Sequence, residues 1–272
     1  LARLLTAFAL LALFVATLLR GPLLAFFALM ALAGGIAVWE AYALLERRGA
    51  RPFKVLGTVA SLATMAAFLL LHAGSHLWGP GCVVVLTTIA ALVAAMALRE
   101  DPAAMLEAAT VTLFPYLSVG LTLSYMVGLR AIDDRTGRDL ALMLLLCLAA
   151  SDSAALYVGR SLGRHPLAPR LSPKKSWEGA IAGLAASVFA AFVALWTFYT
   201  RLTPVHCVAV GLLLGMAGIL GDLAESMIKR AAGAKDSSAI LPGHGGVLDR
   251  ADSLLFTAPV LYYYYFLFLE RP

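Results

Sequence analysis

Long apolar runs, each closed by a short stretch of charged, glycine or proline residues, divide this 272-residue chain from end to end. A hydrocarbon layer about 30 Å thick takes roughly 20 apolar residues in an α-helix. That ruler marks nine segments, at 4–19, 23–45, 53–71, 81–98, 103–129, 140–157, 179–199, 204–220 and 254–269. The fifth is the longest and holds Pro115, whose missing N–H and bulky ring predict a kink or two half-helices. Segment 4–19 also has the length of a signal peptide, but Arg20-Gly21-Pro22 is a poor cleavage site and further apolar segments come after it. It reads as a first membrane helix. The expected fold class is all-α, a polytopic integral membrane protein with about nine spans.

Composition supports that division and excludes a soluble domain. Hydrophobic residues make up 61% of the chain, charged residues 14%, and the mean hydropathy is +0.87, too few charges to give a water-facing skin. Cytoplasmic loops retain Lys and Arg. Placing the Arg47/Arg48/Arg51/Lys54 loop inside also puts Arg3, Arg99, the stretch from Arg160 to Lys175 and the stretch from Lys229 to Arg250 inside. That is 15 of the 21 basic residues, with the N-terminus in and the C-terminus out. The three Arg of the outside loop 130–139 run against the rule, although three Asp balance them. The pI of about 9.2 is this topological bias and gives no reason to expect nucleic acid. Cys82, Cys147 and Cys207 each stand alone among apolar residues and read as core thiols. No inverted repeat of the transporter kind is apparent. Polar chemistry is concentrated late in the chain, so residues 1–100 read as lipid-facing scaffold and residues 101–272 as the part that carries a catalytic site.

The densest chemistry lies in Gly221-Asp222-Leu223-Ala224-Glu225-Ser226-Met227-Ile228-Lys229-Arg230, which continues the eighth segment into the cytoplasm. Positions 222, 225, 226, 229 and 230 share one helical face. An amphipathic helix end with i,i+4 pairs would have the same pattern. The residues C-terminal to it favour a site: Lys235-Asp236, then Gly243-His244-Gly245-Gly246, then Asp249-Arg250-Ala251-Asp252. A glycine-rich loop lets backbone approach a ligand closely and turn N–H groups toward an anion. Asp249 and Asp252 face one way on a helix start, and Asp222 with Asp249 could hold a hard divalent cation such as Mg²⁺. Lys229, Arg230, Lys235 and Arg250 would neutralise phosphate. Together these groups suit phosphoryl or nucleotidyl transfer.

The preceding loop carries Arg160, Arg164, Lys174 and Lys175, readable either as a positive-inside anchor with Trp177 at the headgroups or as phosphate ligands; Ser176 is placed to cap the seventh helix. Asp152, ionisable within an apolar segment, is costly unless paired or hydrated and reads as a site member. Glu40 raises the same question more weakly, as a structural partner of Arg47 or a group at a lipid entry. His206 has no evident partner.

These motifs resemble the phosphatidate cytidylyltransferases, or CDP-diacylglycerol synthases. The resemblance rests on Ser226-Met-Ile-Lys229-Arg230, Lys235-Asp236, His244-Gly245-Gly246 and Asp249-Arg250-Ala251-Asp252 at the family's spacing. Gly159-Arg160-Ser-Leu-Gly163-Arg164 and Ser172-Pro-Lys174-Lys175-Ser176-Trp-Glu-Gly179 add to it. It covers about the last 120 residues; the first 150 match only in apolar character. It implies CTP plus phosphatidate giving CDP-diacylglycerol plus pyrophosphate, with Mg²⁺, in phospholipid biosynthesis. It places metal on Asp222 and Asp249, with Asp152 and Asp252 as further candidates. Catalytic roles fall on Asp222, Asp249, Lys229, Arg230, Lys235, Asp236 and Arg250. Substrate contacts fall on Lys174, Lys175, Ser176, Ser226, His244, Gly245, Gly246, Arg160 and Arg164. The expected partners are CTP, phosphatidate and the bilayer, with a homodimer as the assembly to test, in a bacterial inner membrane with the site facing the cytoplasm. The competing readings are an ion-coupled transporter, whose charges should gather at the midplane, and a CTP-dependent polyprenol kinase. A CDP-alcohol phosphotransferase would need Asp-x-x-Asp-Gly, and here Ser253 comes after Asp252.

Overall fold

The computed structural model describes residues 12–72, 74, 79–241, 243 and 245–270. Helices account for most of it, because backbone in hydrocarbon must satisfy its own hydrogen bonds. In chain order they are α1 (Leu23–Glu46), α2 (Lys54–His72), α3 (Pro80–Leu98), α4 (Pro102–Pro115), a π-turn (Tyr116–Leu121), α5 (Thr122–Ala131) and α6 (Thr136–Leu162). A hairpin of β1 (Pro166–Ala168) and β2 (Ser172–Ser176) leads to α7 (Trp177–Thr197) and α8 (Pro204–Ala231). The short α9 (Leu248–Ala251), α10 (Leu254–Tyr264) and a second π-turn (Tyr265–Leu269) complete the chain. Among the described residues eight helices are long and apolar enough to cross a membrane, and they coincide with the second to ninth expected segments. The chain is therefore an all-α integral membrane protein. Half of the expected segment 4–19 lies outside the described residues; 12–20 is helical.

Pro115 does not break its helix. A continuous 30-residue span runs Pro102–Ala131, and the π-turn Tyr116–Leu121 begins directly after the proline. The wider turn takes up the register that the missing N–H and the ring disturb. The basic stretch after α6 is not irregular either. Pro166 pairs with Ser176 and Ala168 with Ser172 in an antiparallel hairpin, where both strands are edges and Pro166 and Pro173 cost little.

Contacts divide the chain into two compact units, one of Leu1–Ala131 with Ile228–Ala251 and one of Ile132–Met227 with Asp252–Pro272. In lipid, helices associate through close packing and interhelical hydrogen bonds rather than hydrophobic transfer. The first unit uses both. Tyr42, fully buried on α1, donates to the Thr112 carbonyl at 2.6 Å, and α2 approaches it at Gly57, where a Cβ would lie 1.7 Å from the Tyr42 hydroxyl. Thr64 and Tyr116 join their hydroxyls at 3.0 Å.

In the second unit α6 and α7 pack extensively at small residues: a Cβ on Gly179 would lie 2.8 Å from the Ala155 carbonyl and 3.2 Å from the Gly159 Cα. α8 meets α7 where a Cβ on Gly211 would fall 2.4 Å from the Val188 Cα. Cys147 and Cys207 are buried free thiols pointing at the Ser187 and Ala191 carbonyls, and Cys82 is half-buried. His206 does have a partner, the Tyr264 hydroxyl at 2.7 Å from Nδ1.

Candidate active site

The second unit gathers one set of the expected residues. α8 runs unbroken into the polar stretch, as its 3.6-residue pattern requires. It places Asp222 on a cavity of about 690 Å³ that is also lined by Asp152, Arg160, Lys174, Lys175 and Ser176. Lys175 Nζ lies 2.6 Å from Asp222 Oδ2, and the Ser226 hydroxyl donates to Asp222 Oδ1 at 3.3 Å. Asp152 opens into this cavity instead of being sealed between helices, which is how an apolar segment can hold a carboxylate.

The hairpin is built to present the two lysines. Ser176 caps α7, its hydroxyl accepting from the Gly179 N–H at 3.2 Å, as its place before the helix leads one to expect. Glu178 in the first turn accepts from the Arg164 and His165 N–H groups at 3.1 and 3.3 Å and from His165 Nδ1 at 2.6 Å. Arg164 thus closes the hairpin through its backbone; its exposed side chain is not part of the cavity lining.

Carboxylates converge on one point. Asp222, Glu225 and Asp252 each offer an oxygen within 4.8 Å of the others. Glu225 is fully buried, and in the sequence it reads only as part of the polar stripe. The i,i+3 spacing on α8 brings Asp222 and Glu225 together, and the turn before α10 supplies Asp252. Gly221 makes this approach possible, since a Cβ there would lie 2.5 Å from the Asp252 carbonyl oxygen. Three hard oxygen donors within such a span could hold a divalent cation, which would supply positive charge beside the cavity.

The first unit holds the remaining motif residues in a different arrangement. Asp249 is 8% exposed, and Lys229 Nζ lies 2.6 Å from its Oδ1. Its Oδ2 accepts from the Ser237 N–H at 2.9 Å, the Ser237 hydroxyl at 3.0 Å and the Gly246 N–H at 2.7 Å. Glu40 on α1 is 3% exposed. It accepts from the Ser237 and Ser238 hydroxyls at 3.0 and 2.6 Å and from the Val247 and Leu248 N–H groups at 3.2 and 2.8 Å. Its partners are thus the loop and not Arg47. The glycine-loop N–H groups of Gly246, Val247 and Leu248 turn onto these two carboxylates of the protein itself. Gly245 adopts φ +77°, and its Leu241-paired carbonyl closes the loop at 2.9 Å.

Arg230 donates to the Ala234 carbonyl at 3.1 Å, and Arg48 to the Ala231 carbonyl at 2.7 Å, tying the end of α8. Lys235, Asp236 and Arg250 are exposed. His244 lies outside the described residues.

Residues 1–268 match the model of the cytidylyltransferase family. The chain belongs to the cytidylyltransferase family. Among curated members, a phosphatidate cytidylyltransferase of Synechocystis sp. is 42% identical over 134 residues, 49% of this chain and 45% of that protein. One of Haemophilus influenzae is 43% identical over 141 residues, 50% of this chain and 49% of that one. One of Bacillus subtilis is 37% identical over 150 residues, 55% of each. The chain thus spans about half the length of the curated relatives it matches.

Proposed function

We propose that this cytidylyltransferase transfers CMP from CTP to phosphatidate, forming CDP-diacylglycerol and pyrophosphate at the cytoplasmic face of a bacterial inner membrane. The observation that carries the reading is the cavity in which Lys174, Lys175 and Arg160 face the carboxylates Asp152 and Asp222. Cations for phosphate share this space with Asp222, one of the three carboxylates that could hold a metal. Relatives named phosphatidate cytidylyltransferase support the substrate pair.

The phosphate of phosphatidate is already ionised at neutral pH, so it attacks the α-phosphorus of CTP in line without a general base, and pyrophosphate leaves. Lys174, Lys175 and Arg160 hold the triphosphate and spread the charge that develops on the leaving group. Asp222, Glu225 and Asp252 are the set that fits Mg²⁺, which when bound supplies charge neutralisation at the α-phosphate. Asp249, with its oxygens engaged by Lys229, Ser237 and Gly246, anchors the glycine loop and aligns Arg250 beside it. Lys229 and Arg230, Lys235 and Asp236 border the same motif. The lipid tails stay in hydrocarbon while the headgroup reaches the cavity.

Purified protein in detergent, given phosphatidate, Mg²⁺ and CTP labelled separately at the α- and γ-phosphates, tests this. Transfer of α-label to lipid with γ-label leaving as pyrophosphate is the expected result, and Asp222→Asn should abolish it. Entry of γ-label into lipid would make the protein a kinase. Movement of neither label would overturn the transferase reading.

A further inference from the structure

The glycine loop between Lys235 and Asp249 has a second anchor that its own motif does not contain. Glu40 lies on α1, some 200 residues earlier in the chain, yet its carboxylate takes hydrogen bonds from both ends of the loop. Ser237 and Ser238 reach it from the entry side. The Val247 and Leu248 N–H groups reach it from the exit side. These last two are donors at the start of α9, which have no partner within their own helix. Glu40 therefore caps, from a different helix, the turn that carries Asp249 and Arg250.

The fit around this carboxylate is close. A Cβ on Gly246 would lie 2.5 and 2.6 Å from the two Glu40 oxygens and 2.0 Å from the Ser237 hydroxyl. A side chain at Gly246 would collide with both the Ser237 hydroxyl and the Glu40 carboxylate. The Ser237 hydroxyl stands 3.0 Å from both Glu40 Oε2 and Asp249 Oδ2, so its single proton links the carboxylate on α1 to that of the motif.

We propose that Glu40 is a positioning residue for nucleotidyl transfer, tying Ser237 and Ser238 to the turn at Val247 and Leu248 so that Asp249, Lys229 and Arg250 keep their reactive geometry. This rests on the cytidylyltransferase reading above. It assigns a functional task to a helix whose sequence reads as lipid-facing scaffold. Glutamine cannot replace the carboxylate, because each Glu40 oxygen faces one serine hydroxyl and one backbone N–H. A hydroxyl can turn to accept from the amide NH₂; a backbone N–H cannot.

The test compares Glu40→Gln, Glu40→Asp and Ser238→Ala with the parent protein, by steady-state transfer of α-label and by amide hydrogen exchange of peptides covering residues 235–250. Glu40→Gln should lower kcat about 30-fold, the scale of one lost charge-assisted buried hydrogen bond, with KM for CTP within about threefold. Exchange should rise about tenfold or more in 235–250 and stay at the parent level in α6 and α7. Glu40→Asp, which keeps the charge on a shorter stem, should recover part of kcat; Ser238→Ala should show the same pattern more weakly. Parent-level kcat and exchange in Glu40→Gln would overturn the proposal. So would exchange rising in every helix with kcat per folded molecule unchanged, which marks a purely structural group. If the parent itself transfers no label, the functional reading fails, and exchange in 235–250 still decides whether Glu40 holds the loop.

Discussion

Replacing Lys229 with methionine removes the cation from a nearly closed ion pair while keeping the apolar stem. The Lys229 and Asp249 side chains are 13% and 5% exposed, and Nζ and Oδ1 are 2.6 Å apart. Breaking such a pair from one side typically costs ~3–5 kcal/mol, because the remaining charge stays buried. Asp249 keeps the donors at Oδ2 from Ser237 and Gly246, so the lower end of that range, about 3 kcal/mol, is the expected loss. In a chain of this size that corresponds to a fall in Tm of roughly 6–12 °C. Asp249→Asn in the Lys229→Met background should recover much of the loss, since the amide leaves no stranded charge. The double-mutant cycle, read by thermal unfolding in detergent, should therefore show a coupling of about 2 kcal/mol. Additivity of the two substitutions within ~0.5 kcal/mol would refute the view that this pair holds the motif together. Activity should be lost in both single variants and stay lost in the stabilised double variant, which separates the pair's structural contribution from its catalytic one.

The same geometry sets other expectations. Lys175→Ala should lower kcat/KM for CTP by about 10²-fold while leaving Tm within a few degrees, because the side chain is solvent-accessible at its cavity; an unchanged kcat/KM would remove it from the phosphate set. Gly221→Ala, whose Cβ would press on the Asp252 carbonyl at 2.5 Å, should spread the Asp222, Glu225 and Asp252 cluster and raise the Mg²⁺ concentration giving half-maximal activity by about tenfold or more. Chelation of divalent cations should abolish transfer, and Mg²⁺ addition should restore it; full activity in excess chelator would exclude the metal. Gly57→Ala drives a methyl into the Tyr42 hydroxyl and should cost about 3 kcal/mol from overpacking and a displaced hydrogen bond. Tyr42→Phe should recover part of that loss in thermal unfolding.

What the sequence reveals about this protein depends on how local each determinant is. Spans are set by runs of apolar residues, a property of neighbours in the chain, and eight of them stand where the hydropathy ruler puts them. The cap at Ser176 and the helical continuation through Asp222 and Lys229 are local in the same sense. The partners of carboxylates are not. Asp222 and Asp249 both belong to the polar motif, and sequence alone invites one shared metal. In the folded chain Asp222 joins Glu225 and Asp252, whereas Asp249 is engaged by Lys229 and loop N–H groups. Glu40 shows the same limit more sharply. Its nearest basic neighbour in sequence, Arg47, lies two turns along the same helix and is the obvious local partner, but the carboxylate is taken up by donors from residues 237 to 248. One local sign did point there. A buried carboxylate in a membrane helix without a cation one turn away must be solvated by something else, and the second glycine of His244-Gly245-Gly246 marks a backbone that something approaches closely. Pairing an unexplained acid with an unexplained glycine is an inference that chemistry permits before any fold is known, and in this chain the two are in direct contact.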